Sequence, residues 1–273
     1  MSANLKQNEK LTMADVADRH ELYEKSVQAV DDEVVFLDET FTKVTGRKAL
    51  SLREDFCGTA AASCAWVARH GEHTAVGVDF DPEVLTWGRN RNVARLDADQ
   101  QARIKLLEDN VLTATTDPVD LLVAFNFSYW IFKTRDELRE YFEKARAAIK
   151  DDGLLMLDLF GGMEAYDECK EKTKLDGFTY IWHQAKYDPV SGHMRTHIHF
   201  KFPDGSKMKN AFTYEWRLWS LPEVRELLAE AGFSKSTVYW EGTDDDGEGN
   251  GEWEPVEEGE ADPAWITYLV AER

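Results

Sequence analysis

The chain has 273 residues, with 52 Asp and Glu against 32 Lys and Arg and a formal net charge of -20. That balance argues against a protein that grips nucleic acid through its general field, because counterion displacement needs cationic side chains, and against docking on an anionic membrane surface. A content of 43% apolar and 12% aromatic residues suffices for a sizeable core and excludes global disorder.

Residues 1–20 are polar, without the apolar core of a signal segment, and no later run approaches the ~18 apolar residues of a membrane span. Cys57, Cys64 and Cys169 form an odd set with no Cys-x-x-Cys pair, the pattern of a reducing cytoplasm, which is the expected location. Segments 14–28 and 32–44 carry apolar residues at three- and four-residue spacing, which predicts a helical cap over 1–46. Residues 49–55 predict a short strand. It runs through Phe56-Cys57-Gly58-Thr59-Ala60 into an Ala-rich helix that ends at Arg69. Residues 74–79 predict a second strand ending in an acid, and Pro82 suits the first turn of the next helix. Strands follow at 104–107 and 121–125. An amphipathic helix over 135–149 stops at Asp151-Asp152-Gly153, before a fifth strand over 154–160. This alternation implies parallel β-α-β units with helices on both faces, an α/β core over 47–163.

After Gly161-Gly162 the pattern changes. Segments 178–188, 193–202 and 208–219 alternate like long strands, joined by turn-forming runs at 189–192 and 203–205. They predict an inserted three-stranded antiparallel sheet within 164–219, acting as a cap or a homodimer surface. The core resumes over 220–273 with a helix at 221–231, a strand at 236–240 and a last strand at 264–271, which should pair antiparallel. Between those strands, 241–262 holds eleven acids and no base, which leaves a net of -9 outside the block. About half of the excess charge thus sits in one Gly-punctuated stretch. It reads as a solubilising loop, with a lid or a docking surface for a cationic group as the alternative.

The chemistry concentrates where strands end. A strand that ends in an acid and turns through small residues into a helix presents N–H groups and a carboxylate at the edge where open α/β sheets bind nucleotides. A dinucleotide site wants Gly-x-Gly-x-x-Gly, and only Gly58 is present, so an NAD-dependent oxidoreductase is disfavoured. Glu54-Asp55-Phe56-Cys57-Gly58-Thr59-Ala60 resembles motif I of the class I S-adenosylmethionine-dependent methyltransferases, acidic-x-Gly-Cys-Gly-Thr-Gly, with Phe56 and Ala60 in place of two glycines. The motif acid falls on Glu54, with Asp55 as the alternative. Asp79 resembles the family's ribose-binding acid, and Asp81-Pro82-Glu83 its following helix entry. Asp109 resembles its adenine contact, and 120–126 its fourth strand. The series covers roughly 45–163 and the closing elements from 221.

The resemblance implies a Rossmann-like fold with a mostly parallel seven-stranded sheet whose last strand is antiparallel. It implies S-adenosylmethionine as cofactor, held by Glu54, Cys57, Gly58, Thr59, Asp79, Phe80, Asp109, Asn110 and Asn126. It implies methyl transfer to a N, O or S atom of a small-molecule acceptor, with a non-catalytic sensor or scaffold as the alternative. Asn126, Tyr129 and Tyr23 are the candidate catalytic residues. The run Asn126-Phe127-Ser128-Tyr129-Trp130 lacks the prolines of nucleic-acid amino methyltransferases. Cys57 reads as a packing residue, with no neighbouring base to lower its pKa. His193, His197 and His199 share one face of a predicted strand, a solvent or subunit-contact face, with His197 or His199 as the alternative general base. No metal site is expected. Six tryptophans between 182 and 265 raise the idea of an aromatic cage for a cation.

Overall fold

Asp18 divides the N-terminal region. Its carboxylate accepts from the N–H groups of His20 and Glu21 and caps a new helix. The helix predicted over 14–28 is therefore two, Met13–Val16 (α1) and Arg19–Val27 (α2). Val30–Thr45 (α3) follows and ends at Gly46 in the left-handed conformation.

The computed structural model describes residues 11–244 and 249–273. Ser51–Asp55 (β1), Ala61–Arg69 (α4), Thr74–Asp79 (β2), Pro82–Arg91 (α5), Ala98–Ala102 (α6), Ile104–Glu108 (β3), Val119–Ala124 (β4), Arg135–Ala147 (α7) and Ile149–Gly161 (β5) build the predicted β-α-β core. Strands β1 to β5 all pair parallel. All six residues of β4 are buried, as a strand covered on both faces requires. On one face the buried side chains of α3 and α4, including Leu37, Phe41 and Trp66, meet the sheet. On the other, Leu138, Tyr141 and Phe142 of α7 do so.

The insertion has four strands rather than three. Lys170–Leu175 (β6) precedes Phe178–Tyr187 (β7), His193–Lys201 (β8) and Lys207–Arg217 (β9), in the order β6-β7-β8-β9. β6 is exposed along almost its whole length. Its alternating lysines suit an edge strand, where charge discourages pairing with another sheet.

The main sheet has eight strands rather than seven. After Leu221–Glu230 (α8) come Lys235–Thr243 (β10), Gly249–Val256 (β11) and Trp265–Glu272 (β12), giving the order β11-β10-β12-β5-β4-β1-β2-β3. β12 runs antiparallel to both β5 and β10, so β10 points the same way as β5. The acidic block is thus not simply a loop. Part of it returns as β11 and forms the sheet's edge, with Trp253 turned inward onto Phe36 and Tyr268.

Two buried carboxylates tie the core together. Asp120, with no exposed surface, accepts from the N–H groups of Leu50 and Ser51 and from Lys150 Nζ, each at 2.9 Å, and pairs with Arg47 at 2.7 Å. It pins the amino ends of β1, β4 and β5 and stays far below the usual carboxylate range because so many donors face it. Arg53 pairs with Asp55 at 2.7 Å and donates to the carbonyls of Val111 and Ala114. Removing one member of a buried pair strands the other charge, so Arg53→Met should cost about 3–5 kcal/mol. Urea unfolding checks this, and a loss below about 1 kcal/mol would contradict the assigned burial.

Candidate functional site

Successive side chains of a strand point to opposite faces. On β1 this sends Arg53 and Asp55 one way and Glu54 the other. Asp55 is committed to Arg53 and to Tyr141, whose hydroxyl donates to it at 3.2 Å. Glu54 instead accepts from the N–H of Ser63 at 2.9 Å and from its hydroxyl at 2.5 Å, in the first turn of α4. Between the two readings of the strand-end acid, the geometry separates Glu54, at the turn into α4, from Asp55, inside the sheet packing. Burial pushes Glu54 up to about 7, against the lowering effect of Ser63.

The turn itself is left-handed at Phe56 (φ 58°), Gly58 (φ 51°) and Ala60 (φ 57°). A non-glycine residue there costs roughly 1–2 kcal/mol. Phe56 and Ala60 therefore keep a glycine-like conformation without being glycine. A Cβ on Gly58 would meet nothing within 4 Å, so this backbone is open on one side. Its N–H donates to Asp79 Oδ2 at 2.8 Å, while Asp79 Oδ1 accepts from the N–H of Asp81 at 2.9 Å. Cys57 is buried and burial pushes its thiol well above the usual range, which leaves it a packing residue. Thr59 is buried, and its hydroxyl has no hydrogen-bond partner. Its carbonyl would lie 2.6 Å from a Cβ at Gly88, which explains why α5 can pack so close to the turn. Phe80 is 71% exposed beside Asp79. Asp109 and Asn110 form an exposed turn after β3. Asp109 accepts from the N–H of Asn110 and the hydroxyl of Thr113, and Asn110 accepts from the N–H of Leu112.

A second left-handed turn follows β4, at Asn126 and Phe127, both with φ 57°. Their N–H groups donate to the two oxygens of Asp158 on β5, at 2.7 and 2.9 Å. Burial pushes Asp158 up to about 7. This turn carries Asn126 to a cavity but takes Tyr129 away from it. Tyr129 is wholly buried, and its hydroxyl donates to the Asp158 carbonyl at 2.9 Å. Its geometry is that of a positioning residue behind the turn, which corrects its expected place facing the acceptor.

The cavity measures about 640 Å³ and lies between the carboxyl ends of β4 and β5, the start of α3 and the inserted sheet. Ten aromatic rings line it, among them Tyr23, Phe127, Trp182, Trp216, Trp265 and Tyr268. Five carboxylates line it as well: Glu33, Asp158, Glu164, Glu171 and Glu241. None of the described lining residues is Lys, Arg or His. Tyr23 of α2 reaches this wall, its ring 5.0 Å from that of Phe212 and its hydroxyl paired with Tyr214. Glu33 was not singled out from the sequence. It is 9% exposed and burial pushes it up to about 7, with Asp32 adding to the rise. Asp158 was equally missed, although a lone acid inside the apolar run 154–160 was a readable signal.

The histidines lie elsewhere. His183, His197 and His199 cluster with ring centroids 5.3–5.8 Å apart, and His193 is not among them. His197 and His199 alternate on β8 with the buried Ile198, and His183 on β7 lies between Trp182 and Gln184. Ile198, Trp182 and Gln184 line the cavity, so the cluster occupies the opposite face of the inserted sheet. His199 Nδ1 accepts from the N–H of Asn210, and burial with two neighbouring histidines brings it down to about 4. Neither His197 nor His199 is placed to serve as a base at the cavity.

No family model and no curated protein matches the chain in sequence. Solved structures do match in shape. A S-adenosylmethionine-dependent methyltransferase from Clostridium acetobutylicum aligns with TM-score 0.69 at 14% identity, over 93% of this chain and 96% of that one. The chain has the class I methyltransferase fold. An S-adenosylmethionine-bound amino pentose methyltransferase from Micromonospora echinaspora gives TM-score 0.65 at 16% identity over 93% and 95%. A sugar N-methyltransferase from Streptoalloteichus gives 0.63 at 13% over 100% and 98%.

In this methyltransferase fold Glu33, Glu54 and Asp158 converge at one sheet edge, and burial raises each of them from the ordinary carboxylate range to about 7. Such groups bind protons in the folded state that the unfolded chain has already released. Their stabilising contribution is present below about pH 4 and is lost as pH rises through about 7. The urea midpoint should therefore fall between pH 5 and pH 8, and a midpoint that rises over that interval would contradict this placement.

Proposed function

We propose that the protein transfers a methyl group from S-adenosylmethionine to a N, O or S atom of a small molecule held in the aromatic cavity. The observation that carries this reading is the pairing of two features at one sheet edge. The open backbone at Gly58 and the Asp79 carboxylate stand at the ends of β1 and β2, and a large cavity begins at the end of β4.

The residues fit the donor. Asp79 uses one lone pair of each oxygen on a backbone N–H, so both oxygens can still accept from ribose hydroxyls. Phe80 offers an exposed ring for the adenine face, and the orphaned Thr59 hydroxyl lies in the same turn. The resemblance assigns Asp109 and Asn110 to the adenine edge. Glu54 holds the turn onto α4, and Asn126 stands at the entry to the cavity. When bound, S-adenosylmethionine supplies a methyl group already activated on a sulfonium. What remains for the chain is to hold the acceptor in line and exclude water. The Asp158 bonds fix the Asn126–Phe127 turn, and Tyr23 brings α2 against the inserted sheet as a cover.

A small-molecule acceptor is supported by the cavity's size and by the neighbours, whose names include amino pentose and sugar N-methyltransferases. An acceptor chamber is also a feature that a mere adenosine sensor does not need. The unpaired cysteines, two of them buried, support a cytoplasmic setting.

Titration calorimetry tests the donor. S-adenosylmethionine and its demethylated product should both bind, and failure of both to bind would overturn the reading. Asp79→Ala removes two charge-assisted bonds, so the affinity should fall about 30-fold or more. Undiminished binding by the variant would show that another residue takes the ribose.

A further inference from the structure

We propose that the acceptor enters the cavity as an ammonium ion, and that Glu33 is the carboxylate that pairs with it and takes its proton. The inference rests on the methyl-transfer reading and names the acceptor's class.

The cavity wall is a mixture of ring faces and acids with no cationic side chain among its described residues. Ring faces attract a cation that has left water, by about 0.5–2 kcal/mol each. A neutral acceptor would draw no benefit from five carboxylates, and an anionic one would be repelled by them. The acids are not equivalent. Glu164 and Glu171 are exposed and can only attract a cation from solution. Glu241 accepts from the N–H of Gly251 and secures the β10–β11 arm. Asp158 carries one backbone N–H on each oxygen, from Asn126 and Phe127, so its charge is already partly met by two donors and its place is fixed by the turn it closes.

Glu33 differs from all four. Buried like Asp158, it sits in the first turn of α3, but the Ala29 backbone N–H is the one donor its carboxylate meets among the described residues. The charged and titratable groups that face it are Asp32 on its own helix, Glu54 on β1, Asp158 on β5 and Tyr268 on β12. Every one is acidic, so the position is short of positive charge. An ammonium group fills that deficit.

The proton step balances simply. The N–H bond of the ammonium breaks, its electron pair stays on nitrogen as the lone pair that accepts the methyl group, and the proton moves to a Glu33 oxygen. Methylation restores the positive charge on nitrogen, and Glu33 later returns its proton to water. An ammonium nitrogen has no lone pair, so an amine acceptor needs such a proton acceptor before attack.

The test compares two probes of one shape, cyclohexylamine and cyclohexanol, by quenching of tryptophan fluorescence with S-adenosylhomocysteine present. At pH 7.5 the amine should bind about tenfold or more tightly than the alcohol. Glu33→Gln should remove most of that preference while leaving cyclohexanol within about twofold. Amine affinity in the wild type should also rise with pH through about 7, as Glu33 loses its proton. Equal affinity for the two probes, or a Glu33→Gln variant that weakens both alike, would overturn the proposal. The probe comparison in the wild-type protein decides the matter even if the variant does not fold. Failure of S-adenosylhomocysteine to bind would count against the donor reading, whereas its binding with no preference for the amine counts against this inference alone.

Discussion

The site depends on one arrangement used twice: a left-handed turn at the end of a strand, closed by a carboxylate from the neighbouring strand. After β1 the N–H of Gly58 meets Asp79 of β2, and after β4 the N–H groups of Asn126 and Phe127 meet Asp158 of β5. Non-glycine residues in such turns are strained by roughly 1–2 kcal/mol each, and hydrogen bonds to a charged acceptor, about 1.5–3 kcal/mol each, offset that strain. The consequence is electrostatic. Acids that shape the backbone accumulate at one edge of the sheet, where Glu33 and Glu54 join them. Burial and mutual repulsion then raise their pKa values. A site of this kind favours positively charged ligands, and both a sulfonium donor and an ammonium acceptor are of that charge.

Much of this was legible in the sequence. The β-α-β rhythm, the acids closing the first two strands and the switch to an inserted sheet all follow from periodicity and turn residues. Glu54 and Asp79 stand at the predicted strand ends because a strand's period fixes where its last side chains point. Other parts carried no distinguishing signal. β6 reads Lys-Glu-Lys-Thr-Lys-Leu, and an exposed edge strand has no apolar face to alternate. Glu33 follows Asp31 and Asp32 in the first turn of a helix, where acids are favoured by the helix dipole alone. Tyr129 shows the limit of strand-end reasoning, since two left-handed residues before it reverse the chain and bury its ring. The histidine cluster was half legible: alternation placed His197 and His199 together, but only the β7–β8 register brings in His183.

The acidic block between the last two strands has an architectural role that composition could not reveal. Its residues 249–256 form β11 at the exposed edge of the main sheet, where charge and Pro255 discourage edge-to-edge association. Glu254 meets Lys43 of α3 at 3.0 Å, and Glu241 and Trp253 line the cavity. The same stretch thus protects a sheet edge, supplies part of the cavity wall and accounts for about half of the excess charge.

The central claim is that the two turns seat an adenosine donor on Asp79 with its reactive sulfur toward the aromatic cavity. A crystal structure with S-adenosylhomocysteine tests it most directly. The account predicts the ribose hydroxyls within hydrogen-bond distance of the Asp79 oxygens and the thioether sulfur on the Asn126 side, facing the cavity. A nucleoside bound away from Asp79, or a sulfur turned away from the cavity, would contradict it.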